Sequence, residues 1–164
     1  MSTIRGIVIP ANDELSVQVV EFEQGDINAY QRYVGGMFQC LDIDSPPASI
    51  FCNEEAKLIG LELNRRATML WWTHYPPSRH ADIINGDVVI VGQPDDEGET
   101  QGVPDELLSL LTQTTEWRYE VSVINESGWH RNGRTFNNVW AAYNDGLALL
   151  DRWVLAQQVR VVPA

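Results

Sequence analysis

Hydrophobic positions in the first hundred residues fall into short runs or alternate with polar ones, a pattern typical of β-strands. Residues 4–9 form an apolar run that ends at Pro10, and residues 15–23 alternate apolar and polar side chains. Residues 11–14 between them have the composition of a turn, so the two stretches predict a β-hairpin. Three further strands are predicted at residues 37–43, 49–52 and 87–91. The last of these is the richest in β-branched residues and is expected to be central.

Helix signals separate these strands. Asp26 is placed to cap a short helix that stops at Gly35-Gly36, because a side-chain oxygen can accept from the first free amides and glycine tolerates the left-handed stop. Asn64 is placed to cap a second helix, which Pro76-Pro77 ends. A third helix is expected to start at Pro104.

The remaining residues, 113–164, carry their own alternating and helical patterns. Residues 117–124 predict a half-buried strand, and residues 129–136 predict the second arm of a hairpin. One amphipathic stripe marks the longest predicted helix, capped by Asn137 or Asn138 and built on Val139, Tyr143, Leu147, Leu150 and Val154. A short strand at residues 159–162 completes a β-β-α-β unit.

These elements predict an α+β protein whose mainly antiparallel sheet is covered by short helices. At 164 residues the chain suits one domain, or one domain with an appendage. We therefore divide it into residues 1–112 and a β-β-α-β unit at residues 113–164. That unit either completes the first sheet or forms a small layer of its own.

Charge is distributed unevenly between the two parts. The formal net charge is −12, and residues 1–112 hold 18 acidic and 6 basic side chains, whereas residues 113–164 hold five of each. An acidic surface repels nucleic acid, so direct nucleic-acid binding through residues 1–112 is not expected. The acidic loop predicted at residues 93–102 is instead a candidate for steering a partner protein, through Asp95, Asp96, Glu97 and Glu99.

Other classes of protein are disfavoured by the composition. The longest apolar runs are far shorter than the roughly 18 residues of a membrane span, and residues 1–10 lack a signal peptide, so a cytoplasmic protein is expected. Cys40 and Cys52 show no paired motif and are expected to be reduced and buried. His74 and His80 lie six residues apart with prolines between them, so no metal site is expected.

Charged, amide and aromatic residues are densest between residues 52 and 75. They give seven candidate ligand-binding residues: Asn53, Glu54, Glu55, Lys57, Asn64, Arg65 and Trp72. Opposite charges in one short segment suit either a closed ion-pair network or a site for a small anion. In the second case, Lys57, Arg65 and the free amides at the start of the helix after Asn64 would hold the ligand. No catalytic spacing and no cofactor motif accompanies them.

Four short motifs occur in order along the first part of the chain. They are Val34-Gly35-Gly36, Cys52-Asn53-Glu54-Glu55-Ala56-Lys57-Leu58-x-Gly60-Leu61, Asn64-Arg65-x-Ala67-Thr68 and Ile84-x-Gly86-Asp87-x-Val89-Ile90-Val91-Gly92. With these motifs, residues 4–111 closely resemble the family catalogued as domain of unknown function 3846. The resemblance implies a setting in actinobacterial phages, plasmids or mobile elements. It supplies no activity, cofactor or catalytic residue.

We therefore expect a non-enzymatic binding or accessory protein of a phage or mobile element. It would act through contacts with a host or virion protein, for example as an acidic inhibitor of a host factor. Two alternatives remain open. Residues 53–66 could bind a small polar ligand or nucleotide, or the protein could assemble with copies of itself or with virion components.

Overall fold

The computed structural model describes residues 2–164, which form a mixed α+β fold with a five-stranded antiparallel sheet. Its strands are β1 (Thr3–Ile9), β2 (Gln18–Glu23), β3 (Phe38–Asp44), β4 (Pro47–Asn53) and β5 (Val88–Gly92). They lie in the order β2-β1-β5-β4-β3, and all neighbours are antiparallel. As predicted, β5 is central, and all five of its residues are buried.

Two α-helices begin in this part of the chain where the capping residues predict. Asp26 accepts a hydrogen bond from the amide of Ala29 and starts α1 (Ile27–Val34), and Gly35 ends this helix in the left-handed conformation. Asn64 starts α2 (Arg65–His74), which a short 3₁₀ turn at Pro76–Ser78 follows. Pro104 precedes α3 (Asp105–Thr112).

The sheet separates two hydrophobic cores because strand side chains alternate between its faces. On one face, α1 packs its aromatic side on the sheet, where the Tyr30 and Phe51 rings meet edge to face with centroids 4.5 Å apart. On the other face, Ile7, Ile50 and Ile90 are completely buried beneath the rest of the protein. The second core is the larger one.

The C-terminal residues build a separate layer over this larger core. A two-stranded antiparallel sheet is formed by β6 (Trp117–Val123) and β7 (Ala156–Pro163), with α4 (Val139–Arg152) between them in the chain. The inward side chains of this layer share one apolar cluster with α2 and α3; among them are Tyr119, Val121, Ala142, Tyr143, Val159 and Val161. The unit therefore does not extend the first sheet but covers one of its faces.

A glycine allows α4 to lie close to β6. The backbone of Gly146 approaches the buried ring of Tyr119 so closely that an added Cβ would lie 3.3 Å from its Cγ. The helix therefore contains a residue of low helix propensity where contact with the sheet requires one.

Within residues 2–164 no helix combines the length and the hydropathy needed to cross a membrane.

Two predictions about local structure were incomplete or wrong. Residues 129–136 return antiparallel to β6 as predicted, but as an irregular arm that pairs with it through isolated bridges at Trp117–Phe136 and Val121–His130. Gly133, which has a φ of 82°, lies between the two bridges and interrupts the regular pairing. The final strand, predicted at residues 159–162, is longer and covers all of β7.

The prediction that both thiols are buried was also wrong for one of them. Cys52 is buried on β4, whereas Cys40 is exposed. The difference follows from position, because β3 forms an edge of the sheet and β4 lies inside it.

Candidate functional site

The loop at residues 54–63, between β4 and α2, carries most of the candidate residues and is called the motif loop below. Asn53, at its start, is buried and donates from Nδ2 to the carbonyl oxygen of Val34 at 3.2 Å. Its Oδ1 accepts from the amide of Glu55 at 2.8 Å. Asn53 therefore ties the loop to the end of α1 through both its amide nitrogen and its amide oxygen.

Asn64, at the end of the loop, is completely buried and makes three side-chain hydrogen bonds. Its Oδ1 accepts from the amide of Ala67, and its Nδ2 donates to the carbonyl oxygens of Ile9 and Gly86, all at 2.9 Å. The Asn64 side chain therefore caps α2 through one of the amides predicted to be free, that of Ala67.

Lys57 closes the motif loop against residues 82 and 83. Its Nζ lies 2.9 Å from Oδ1 of Asp82 and donates to the carbonyl oxygen of Ile83 at 3.0 Å. The hydrogen bond from Lys57 lowers the pKa of the Asp82 carboxyl below its ordinary value. Trp72 joins the same contact, because its Nε1 donates to the backbone oxygen of Asp82 at 2.7 Å.

A closed ion-pair network was one of the two predicted alternatives. In the structure, Lys57 pairs with Asp82 rather than with Glu54 or Glu55. Glu54 and Glu55 are exposed, and no ion pair found among residues 2–164 includes either of them. Lys57 and Asp82 remain about half exposed themselves. The pair therefore fixes the loop at the surface without burying a charge.

The candidate residues line different depressions of the surface. Asn53, Glu54 and Lys57 line a small cleft of about 80 Å³. Arg65 is absent from that cleft and lines two other depressions: a groove of about 280 Å³ that it shares with Trp72, and a larger groove near the start of α4. Lys57 and Arg65 therefore do not face one ligand.

The motif loop instead exposes apolar side chains. Leu58 is 88% exposed, and Ile59, Leu63 and Ile83 are also exposed. The 280 Å³ groove continues this surface between α2 and α4 and is lined by Leu63, Met69, Trp72, Ile83, Leu147 and Ala148. We call Leu58, Ile59, Leu63, Ile83 and this groove the motif surface. The sequence signal for it was the apolar pair Leu58-Ile59 inside a polar loop.

A comparison with protein families identifies this part of the chain. The profile described as Domain of unknown function (DUF3846) matches residues 4–116. The chain belongs to the DUF3846 family. The match includes the five-stranded sheet and the first three helices, and it ends just before β6. No curated protein and no solved structure matches the chain.

The acidic loop of the DUF3846 region lies away from the motif surface. Because β4 and β5 are antiparallel, the loop after β5 and the motif loop after β4 leave opposite ends of the sheet. Asp95 organises this acidic loop, since its Oδ1 accepts from the amides of Glu97 and Glu99 at 2.9 Å. Asp96, Glu97 and Glu99 are exposed.

The two histidines considered for a metal site have other contacts in the DUF3846 region. His74 is buried and hydrogen-bonded to Ser45 and Tyr143, while Nε2 of His80 lies 2.8 Å from Oδ1 of Asp151. Among residues 2–164, no group of three histidine, cysteine or acidic side chains could hold a metal ion. No local sequence pattern indicated that His74 meets Tyr143, because 69 positions separate them.

Proposed function

We propose that this protein is a non-enzymatic accessory protein that binds a partner protein through the motif surface. The observation that carries the proposal is the exposure of Leu58, Ile59 and Ile83 around the loop that bears the most characteristic motif of the chain. Exposed apolar side chains that cluster beside a groove are typical of interaction sites, whereas isolated ones are common on any surface.

Charge around the motif surface indicates the chemistry of the partner. Glu54, Glu55 and Glu62 are exposed in the motif loop itself, and Asp151 lines the groove. A complementary partner presents apolar side chains together with lysines or arginines, as a basic amphipathic helix does. Its apolar side chains would enter the groove between α2 and α4 while its cations face the carboxylates.

The setting of this interaction is part of the proposal. The family resemblance favours a phage or mobile element, and the net charge of −12 suits a protein that occupies a basic surface of a host factor. We therefore place the complex in the host cytoplasm, with the protein as an acidic inhibitor of that factor.

The other two functions have less support. The cleft at the motif loop holds about 80 Å³, which is below the roughly 300 Å³ at which small-molecule sites begin, and Lys57 there is already paired with Asp82. Self-assembly would use the same exposed apolar side chains with a second copy as the partner. Measurement of the oligomeric state therefore separates it from host binding.

The test is affinity capture from host lysate with wild type and two variants. Leu58→Ser with Ile59→Ser removes apolar side chains from the motif surface. Val154→Ser is the matched control, because Val154 is 86% exposed in the connection between α4 and β7. We expect one partner to be retained by wild type and the control and to be lost by the double variant.

Two further measurements make the result specific. A basic amphipathic peptide should compete with the captured partner, and light scattering should show a monomer before the partner is added. Retention of the partner by the double variant would contradict the proposal. A dimer that the same two substitutions dissociate would favour self-assembly instead.

A further inference from the structure

A second, larger groove adjoins the motif surface, and Arg65, Met69 and Asn144 line both grooves. The larger groove holds about 740 Å³ and lies between the β1–β2 connection, the first turn of α2, the end of α3 and the start of α4. A volume of this size is within the range of sites for small organic molecules. The proposed interaction at the motif surface does not use it.

A buried arginine in the wall of this groove has an unsatisfied donor. The Arg66 side chain is only 8% exposed, and its Nη2 donates to the carbonyl oxygens of Pro10 and Asn12 at 2.7 and 3.1 Å. Its Nε is buried without a hydrogen-bond acceptor. The nearest carboxylate, from Asp13, lies 3.7 Å from Nε, beyond hydrogen-bonding distance.

This arrangement is unusual because buried polar groups normally have a partner. Asp13 is half exposed, so its carboxylate can turn toward solvent. Another anion can then accept a hydrogen bond from Nε of Arg66. The guanidinium itself is held by two backbone carbonyls and does not need to move. Arg66 is therefore a fixed donor beside a replaceable acceptor.

Further groups around the groove suit an organic anion. Arg65, exposed on α2, supplies a second positive charge. The centroid of the Trp140 ring lies 6.0 Å from the Arg66 guanidinium carbon, and the ring also stacks on Tyr143 with centroids 5.6 Å apart. Asn144 lines the same groove, whereas Oδ1 of Asn138 caps α4. An aromatic ring in a groove that also holds two arginines can bind a planar ring and an oxyanion together.

We propose that the groove binds a small organic anion in which a phosphate or carboxylate group is joined to a planar ring. The oxyanion accepts hydrogen bonds from Arg66 and pairs with Arg65, and the ring lies against Trp140. Mononucleotides and aromatic carboxylates both have this chemistry. Arg65 also lines the groove of the motif surface, whereas Arg66 and Trp140 do not. The inference is tested without a partner protein, so its outcome does not depend on the proposed interaction.

The test is isothermal titration calorimetry with four nucleoside monophosphates, indole-3-acetate and inorganic phosphate. Arg65→Met removes one charge from the groove, and Asp13→Asn removes the competing carboxylate. Arg32→Met is the matched control, since Arg32 is an exposed arginine on α1, across the sheet. We expect about tenfold weaker binding for Arg65→Met, stronger binding for Asp13→Asn, and no change for the control.

The calorimetric experiment does not replace Arg66, because its hydrogen bonds to Pro10 and Asn12 also support the fold. Absence of binding by every compound at millimolar concentration would overturn the proposal, as would equal affinities for wild type and Arg65→Met. Equal affinities for inorganic phosphate and the ring-bearing anions would overturn the role given to Trp140. Binding by one class of ring-bearing anion alone would support the site and identify its ligand.

Discussion

The side chains of His74 and Tyr143 form a 2.6 Å hydrogen bond that joins the DUF3846 region to the long C-terminal helix. On the other side of the imidazole, Nδ1 lies 2.6 Å from the carbonyl oxygen of Ser45. A carbonyl can only accept, so Nδ1 carries a proton, and because burial lowers the pKa of His74 and disfavours a second proton, Nε2 accepts from the Tyr143 hydroxyl. The imidazole is therefore neutral and fully bonded in the folded protein.

The first prediction concerns pH. Burial lowers the pKa of His74 below its ordinary value of 6.5, so the folded protein resists protonation of this group. The unfolded chain takes up that proton as the pH falls below about 6.5, so the free energy of unfolding should decrease there and be fully restored above it. Urea titrations between about pH 5.5 and 7.5 measure this slope.

His74→Gln provides the comparison, because it removes this titration and leaves the exposed acidic groups unchanged. The difference in free energy between wild type and the variant should become smaller as the pH falls. A difference that stays constant over this range would show that His74 is protonated equally in the two states.

A second prediction concerns the hydroxyl group of Tyr143. Tyr143 is completely buried, and Tyr143→Phe leaves Nε2 of His74 without a donor. The expected loss of stability is about 1–3 kcal/mol, because a buried acceptor remains unsatisfied. Tyr33→Phe on α1 is the control, since its ring is only partly buried and packs beside Phe22. Equal urea midpoints for both variants would contradict the role of the hydrogen bond.

The third prediction separates the structural asparagine from its exposed neighbour. Asn64→Ala removes the cap of α2 and leaves the carbonyl oxygens of Ile9 and Gly86 without donors. Loss of a cap costs about 1 kcal/mol, and each unsatisfied buried group adds about 1–3 kcal/mol. Arg65→Ala, at an exposed position, should cost under about 0.5 kcal/mol. Comparable losses in the two variants would show that Asn64 is not specially required.

These residues also show how far the sequence alone could predict the structure. The caps at Asp26 and Asn64 and the central strand β5 were predicted correctly, because capping and β-branched runs are local signals. The sequence could not indicate that the Asn64 amide reaches Ile9, since such contacts depend on how distant segments pack.

The candidate site was predicted less well for the same reason. Lys57 was expected to meet nearby charges, but its partner Asp82 is 25 positions away on a segment without regular structure. The apolar pair Leu58-Ile59 in a polar loop was a visible signal, but the sequence did not decide whether these side chains lie in the core or on the surface. Composition did identify the motif loop as rich in charged and amide residues. Only the fold shows which of its residues hold the loop in place and which are exposed.

A fourth prediction concerns electrostatic steering by the acidic loop. Asp96→Asn, Glu97→Gln and Glu99→Gln together remove three exposed charges, while Asp95 is retained because it holds the loop through the amides of Glu97 and Glu99. Association with a basic captured partner should slow several-fold at low salt, and the difference should vanish at high salt. Stopped-flow measurement at two ionic strengths tests this, and unchanged low-salt kinetics would remove the loop from the interaction.

The last prediction is that residues 1–112 do not fold cooperatively without residues 113–164. Leu70, Trp71, Leu107 and Leu110 from the first part share one core with Tyr143 and other residues of the second part. Removal of the covering layer exposes these four large apolar side chains, each worth about 1.5–3 kcal/mol when buried. For complete exposure the sum is about 6–12 kcal/mol, which is comparable with the 5–15 kcal/mol that typically stabilises a whole domain. Circular dichroism should therefore show a broad thermal transition for the fragment, and co-expression with residues 113–164 should restore a sharp one. A soluble fragment that melts sharply alone would show instead that residues 1–112 form an independent domain.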